Sequence, residues 1–260
     1  MSEQYDPDNL LDRLSDQDTL DLHYGHLRER EREILRRRLP LDGGDVLAVG
    51  CGRDPGRHLF PKPAWRMTGV ELEEEWPRAL VESGELDEGL VGRAGELDAL
   101  ADASFDVVLY RYVLHHVVYQ GPLAPVFAEA ARLLRPGGAL VAMEPGALHP
   151  VGAGLALANR VGLGPAAHGT PDDIPLAASQ LEREARTAGL EPRIDAVTYG
   201  WRRLPAPVQR VLWSLDEAVG SRARAARAGH TLMLVARKPG RPVVGDRVGA
   251  CAAAGREPAR

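Results

Sequence analysis

The sequence predicts an α/β protein built on a doubly wound, mostly parallel sheet with helices on both faces and helical inserts over its ligand-binding edge. Two observations carry this. From Asp45 onward short apolar runs alternate with helix-length segments, which is the pattern of βαβ units. A glycine-containing turn, Gly50-Cys51-Gly52, closes the first apolar run, and an acidic residue, Glu71, ends the second. The length of 260 residues, 44% hydrophobic and 27% charged, suits one folded domain with appendages.

In chain order, residues 1–20 are polar and acidic, and DLHYGHLREREREILRRRL at 21–39 is dense in helix formers with apolar residues at Leu27, Ile34 and Leu35. It reads as a solvent-exposed helix whose opposed charges form a solvated face, ended by Pro40. Residues 1–40 are therefore expected to form an N-terminal helical lid segment. The strand-like runs follow: DVLAVG, WRMTGVEL, SFDVVLYRYVL, GALVAMEP, EPRIDAVTYGW and HTLMLVARK. Helices are expected at about 76–83, 121–134 and 176–189, and LLRPGGAL at 133–140 reads as a helix end, a Pro-Gly-Gly turn and a strand start. Two inserts, 146–175 and 202–228, follow carboxyl ends of strands, where open α/β sheets hold their ligands. The main domain is expected to span 41–238, and 239–260, lacking any hydrophobic period, to be a flexible tail.

Composition excludes several classes of function. A net charge of -5 without a basic footprint argues against a nucleic-acid partner. Neither a leader-like start nor a run of about 20 apolar residues is present, so no membrane association and a cytoplasmic location are expected. The two cysteines, Cys51 and Cys251, supply neither a disulfide framework nor a metal site.

In DVLAVGCGRDPG the run Val46–Val49 delivers the main chain to Gly50-Cys51-Gly52, where missing side chains let backbone approach a nucleotide; a tight strand-helix turn is the plainer alternative. Glu71 stands nineteen positions past Gly52, where a carboxylate can accept from both ribose hydroxyls. Val49, Gly50, Cys51, Gly52, Glu71 and Leu72 are thus the candidate nucleotide contacts.

The order of this loop, the acidic strand end, GELDALADASFDVVLYRYVLHHV and LLRPGGALVAMEP resembles the class I S-adenosylmethionine-dependent methyltransferases, specifically the small-molecule group (methyltransferase type 11) related to the ubiquinone and menaquinone biosynthesis enzymes. The likeness covers roughly 45–148. It implies a Rossmann-like seven-stranded sheet, S-adenosyl-L-methionine as cofactor, and methyl transfer to O, N or C of a small organic acceptor held under the two inserts by a monomer or homodimer. It also implies adenine contacts from Glu96 and Leu97 and a methionine lining from Tyr110 and Arg111; Leu114-His115-His116 matches the family wording directly. Two family anchors differ, because an acidic residue is replaced by Ala48 and the adenine-binding Asp by Ala94. The loop is lengthened by Arg53-Asp54-Pro55-Gly56, so Asp54 or Arg57 is a substitute candidate for holding the methionine ammonium or carboxylate.

Methyl transfer is an in-line displacement in which positioning does most of the catalysis, with a general base only where the acceptor must lose a proton. His116 and His149 are the candidate bases, beside His115 and His168, since imidazole titrates near neutrality; the plainer alternative for each is a structural histidine, packed behind the sheet edge in the case of His115. Tyr24 reads as a lid ring or a surface ring, Trp201 and Trp213 as an acceptor wall or core, and Arg202, Arg203 and Arg222–Arg227 as a solvated face or anchors for an anionic substrate. The rival functions are a non-catalytic adenosyl-binding scaffold, motivated by Ala48 and Ala94, a nicotinamide dehydrogenase, disfavoured by Pro55 where a third glycine belongs, and a nucleic-acid methyltransferase, disfavoured by VLYRYV at the fourth strand.

Overall fold

The structure, a computed structural model, describes residues 16–160, 162 and 174–240. His168 with residues 161 and 163–173 of the first insert, the segment 1–15, Cys251 and the expected tail beyond Gly240 lie outside the described residues.

Among the described residues seven strands form one sheet: β1 (Gly44–Val49), β2 (Trp65–Glu71), β3 (Glu88–Val91), β4 (Phe105–Arg111), β5 (Leu134–Pro145), β6 (Glu191–Thr198) and β7 (Thr231–Arg237). Their spatial order is β3-β2-β1-β4-β5-β7-β6, parallel throughout except for β7, which runs antiparallel to both neighbours. The order reverses between β1 and β4, so the carboxyl end of β1 opens at the switch point where such sheets bind ligands. Central strands read as continuous apolar runs because both faces are covered: Val46 to Val49 are all buried. The short edge strand β3, with Val91 61% exposed, has no such run and was not separable in the sequence.

The helices are α1 (Gln17–Arg38), α2 (Glu75–Glu82), α3 (Leu114–Gln120), α4 (Ala124–Leu133), α5 (Pro150–Arg160), α6 (Ala178–Thr187), α7 (Ala206–Val219) and the single turn α8 (Ala223–Ala226). One core layer joins α3, α4 and α6 to the sheet through Leu114, Phe127, Leu133 and Leu181. The other joins α1 and α2 through Leu27, Ile34, Leu35 and Leu80.

Three expectations need correcting. First, β4 stops at Arg111 rather than running to Leu114: Tyr112 takes a left-handed conformation, φ 59°, and the chain turns into α3, so the expected 121–134 helix is the second of two. Second, the Pro136-Gly137-Gly138 turn lies inside β5, whose pairing jumps from Phe105–Leu134 to Val107–Ala139; Gly137, φ 83°, allows this bulge. Third, α1 is not a solvated helix. Besides its apolar residues it buries His23, Arg30 and Glu31. Its partner α7 buries Gln209 and Asp216 while leaving Val208, Val211 and Leu215 exposed. Polar contacts join the two helices: His23 Nδ1 donates to Gln209 Oε1 at 2.8 Å, His26 Nε2 meets Asp216 Oδ2 at 2.8 Å, and Arg30 donates to the Asp216 carbonyl at 2.8 Å. Trp213 stacks on His26 at 4.6 Å and so braces α7 against α1. Each residue looks like a surface group in sequence because its partner is some 186 positions away.

Candidate functional site

A cleft of about 620 Å³ opens at the carboxyl ends of β1, β2 and β4. Gly50 of the first loop is part of its lining. Gly50 has φ 67°, and a Cβ there would fall 2.6 Å from Val113 Cγ2; Gly52, φ 45°, faces open space. Glu71 stands at the mouth with its carboxylate fixed: Oε2 accepts the Gly52 N–H at 3.0 Å and Oε1 the Leu72 N–H at 2.9 Å. Each oxygen keeps lone-pair capacity toward the cleft, so the group can accept from a vicinal diol. The opposite wall, Val113, Val117, Pro122, Pro125 and Val126, is apolar and suits the face of a planar base.

That wall is held by a residue the sequence reading missed. Glu144, fully buried near the end of β5, accepts the N–H groups of Val113, Leu114 and His115 at 3.0, 2.8 and 3.3 Å, and the His115 Nδ1–H at 2.7 Å. A carboxylate at a helix start satisfies donors that the helix itself leaves unpaired. The signal was a lone Glu ending the apolar run GALVAMEP.

Of the sequence candidates, Val49, Gly50, Glu71, Leu72, Glu96 and His116 all line the cleft, as does Ala94 where the family carries an acid. Gly52 contributes its amide. Cys51 contributes backbone only: its side chain is buried in the α1-side core, and burial followed by the Glu71 charge pushes the thiol up to about 12. Leu97 is buried in the core and gives its N–H to Glu129 at 3.1 Å. Arg111 does not line the cleft. Its guanidinium pairs with Asp54 at 2.9 Å and with the fully buried Glu31 at 3.4 Å, tying the end of β4 to the lengthened loop and to α1. Burial alone would raise the Asp54 carboxyl, but Arg111 and the Gly56 N–H outweigh it and hold it below its usual range. Arg57 is spent on the far side of the loop, bonding the Glu85 carbonyl and the Asp87 carboxylate at 2.7 Å each.

His149 lies apart from the cleft lining. Val151 N–H donates to its Nδ1 at 3.3 Å, which fixes the neutral tautomer whose Nε2–H reaches the Tyr199 carbonyl at 3.2 Å. Its ring meets His230 edge-on at 5.0 Å. Burial, reinforced by neighbouring positive groups, pushes His230 down to about 3, and burial pushes His23 down to about 4. Tyr24 is likewise outside the cleft lining and accepts from Arg202 at 3.2 Å; Arg202 and Arg203 are not a solvated face, since burial and then Arg203 bring Arg202 down to about 10 and Arg203 is only 8% exposed.

Comparison with known proteins now bears on this geometry. Residues 47–142 match a family model described as a methyltransferase domain. The chain is 34% identical over 165 residues to the 27-O-demethylrifamycin SV methyltransferase of Amycolatopsis mediterranei, covering 59% of this chain and 57% of that protein. Against the human thiol S-methyltransferase TMT1A it is 34% identical over 105 residues, covering 38% and 41%. The chain thus spans about half the length of the curated relatives it matches. The fold is shared with a SAM-dependent methyltransferase of Thermotoga maritima described as a possible histamine N-methyltransferase: TM-score 0.58 at 16% identity, over 85% of this chain and 93% of that one. The sheet, the glycine loop after β1 and Glu71 at the end of β2 stand where the sequence placed them. No described helix is long and apolar enough to cross a membrane.

Proposed function

We propose that this protein transfers a methyl group from S-adenosyl-L-methionine to O, N or C of a small organic acceptor. The observation that carries the reading is the Glu71 carboxylate, locked on the Gly52 amide at the mouth of the cleft and facing an apolar wall. Glu71 would take the ribose hydroxyls, Val113, Val117 and Val126 the adenine face, and the open surface at Gly52 the close approach of the methionine part. The cofactor supplies an electrophilic methyl group; the protein's part is to align it and keep water away. Ala94 leaves the adenine amino group to main-chain acceptors in this wall. The relative that acts on 27-O-demethylrifamycin SV supports a small-molecule acceptor.

His116, which lines the cleft, is the side chain we place as the acceptor's proton-taking group. His149, with both ring nitrogens engaged, is given the role of holding the start of α5. Calorimetry with S-adenosylmethionine and S-adenosylhomocysteine tests the reading: binding of both followed by turnover on an acceptor panel is expected, and binding of neither contradicts it. Binding without turnover would favour a non-catalytic adenosyl-binding scaffold.

A further inference from the structure

The protein is acidic overall, yet one concavity is built from arginines. A groove of about 620 Å³ runs along the edge of the sheet where β6 begins and β7 ends, and Arg37, Arg38, Arg186, Arg193 and Arg237 line it. Glu191 pairs in register with Arg237, and β7 ends opposite Ala139, early in β5, so the groove lies at the opposite end of the strands from the cleft.

Its base is preorganised. Asp195, fully buried, receives Arg38 Nε and Nη2 at 2.8 and 2.9 Å and Arg37 Nη2 at 3.0 Å, which fixes two guanidiniums at the last turn of α1. Arg186 has only a 3.9 Å contact with Glu182, and the guanidiniums of Arg193 and Arg237 have no hydrogen-bond or ion-pair partner among the described residues. Five guanidiniums therefore face four carboxylates, Asp195, Glu191, Glu33 and Glu182, and the last two are engaged more closely by Arg30 and Arg227. Such excess is unfavourable without an anion, because like charges in a concavity repel one another.

We propose that this groove is a second binding site, for a small ligand carrying two or more phosphate groups. Guanidinium forks match phosphate oxygens in pairs, and the groove's size is that of a small-molecule site rather than a protein interface. The chain's own continuation is not its complement, since residues 241–260 carry Arg241, Arg247, Arg256 and Arg260 against Asp246 and Glu257. The site is independent of the proposed methyl transfer.

Titration calorimetry of the full chain with inorganic pyrophosphate, with and without saturating S-adenosylhomocysteine, is the test. The expected result is one saturable site, unaffected by S-adenosylhomocysteine, weakened by added salt, and weakened about tenfold or more in the double variant R193E/R237E. S-adenosylhomocysteine affinity should be the same in both proteins, which separates failure here from failure of the methyltransferase reading. No saturable pyrophosphate binding, equal binding by the variant, or displacement by S-adenosylhomocysteine would each overturn the proposal. So would binding of polyglutamate in place of pyrophosphate, which would mark the groove as a docking face for acidic protein.

Discussion

The cleft proposed for the cofactor and the α1–α7 cap are assembled by opposite means. The cleft is made of backbone and apolar walls, and its few polar groups are held by main-chain amides: Glu71 by Gly52 and Leu72, Glu144 by three successive N–H groups of α3. The cap is held by side chains that find side chains across the molecule, His23 with Gln209 and His26 with Asp216. Main-chain donors are present whatever the sequence, so a cleft built on them tolerates drift in its neighbours. Buried polar pairs do not, because losing one partner strands the other.

The comparison breaks most visibly at Asp216. It is fully buried, meets His26 and accepts the Tyr199 N–H at 2.6 Å, so Asp216→Ala should lower unfolding stability by about 3 kcal/mol in denaturant melts. A loss within error of zero would mean that the cap is not held by its polar seam. Glu144→Gln keeps size but presents an amide to His115, which already donates twice there. It should cost about 2 kcal/mol of stability and speed hydrogen exchange in α3, while leaving exchange in α1 unchanged.

Acid should also separate the two regions. His23 and His230 titrate near 4 and 3 when folded and near 6.5 when unfolded, so the unfolded chain binds more protons as pH falls below about 6.5. Stability is therefore full above that pH and erodes through about pH 4, for His23, down to about pH 3, for His230. From pH 7 to 6 the expected loss is about 1 kcal/mol, read from paired melts. In His23→Gln that slope should shrink.

The same contrast explains what could be read from the sequence. β1, β2, β4, β5 and β7 announce themselves because buried central strands must be apolar, and Glu71 is visible because the glycine loop sets its distance along the chain. The edge strand β3 buries too little to leave a pattern, and Tyr112 hides the end of β4 by turning left-handed inside an unbroken apolar run. His23, Arg30 and Glu31 carry the residue types of a wet surface; only partners far away in the chain make them interior. Glu144 was legible as an anomaly, a carboxylate in an apolar strand, but its task depends on α3 being there to cap.

The most direct test of the account is the dissociation constant of S-adenosylhomocysteine for the native protein and for Glu71→Ala, measured by calorimetry at one pH and salt concentration. Loss of a fixed charged acceptor for two hydroxyls should weaken binding by more than about 1.5 kcal/mol, roughly tenfold or greater, with the melting curve little changed. An unaltered constant would contradict the placement of the ribose at Glu71, and with it the orientation of the cofactor in the cleft.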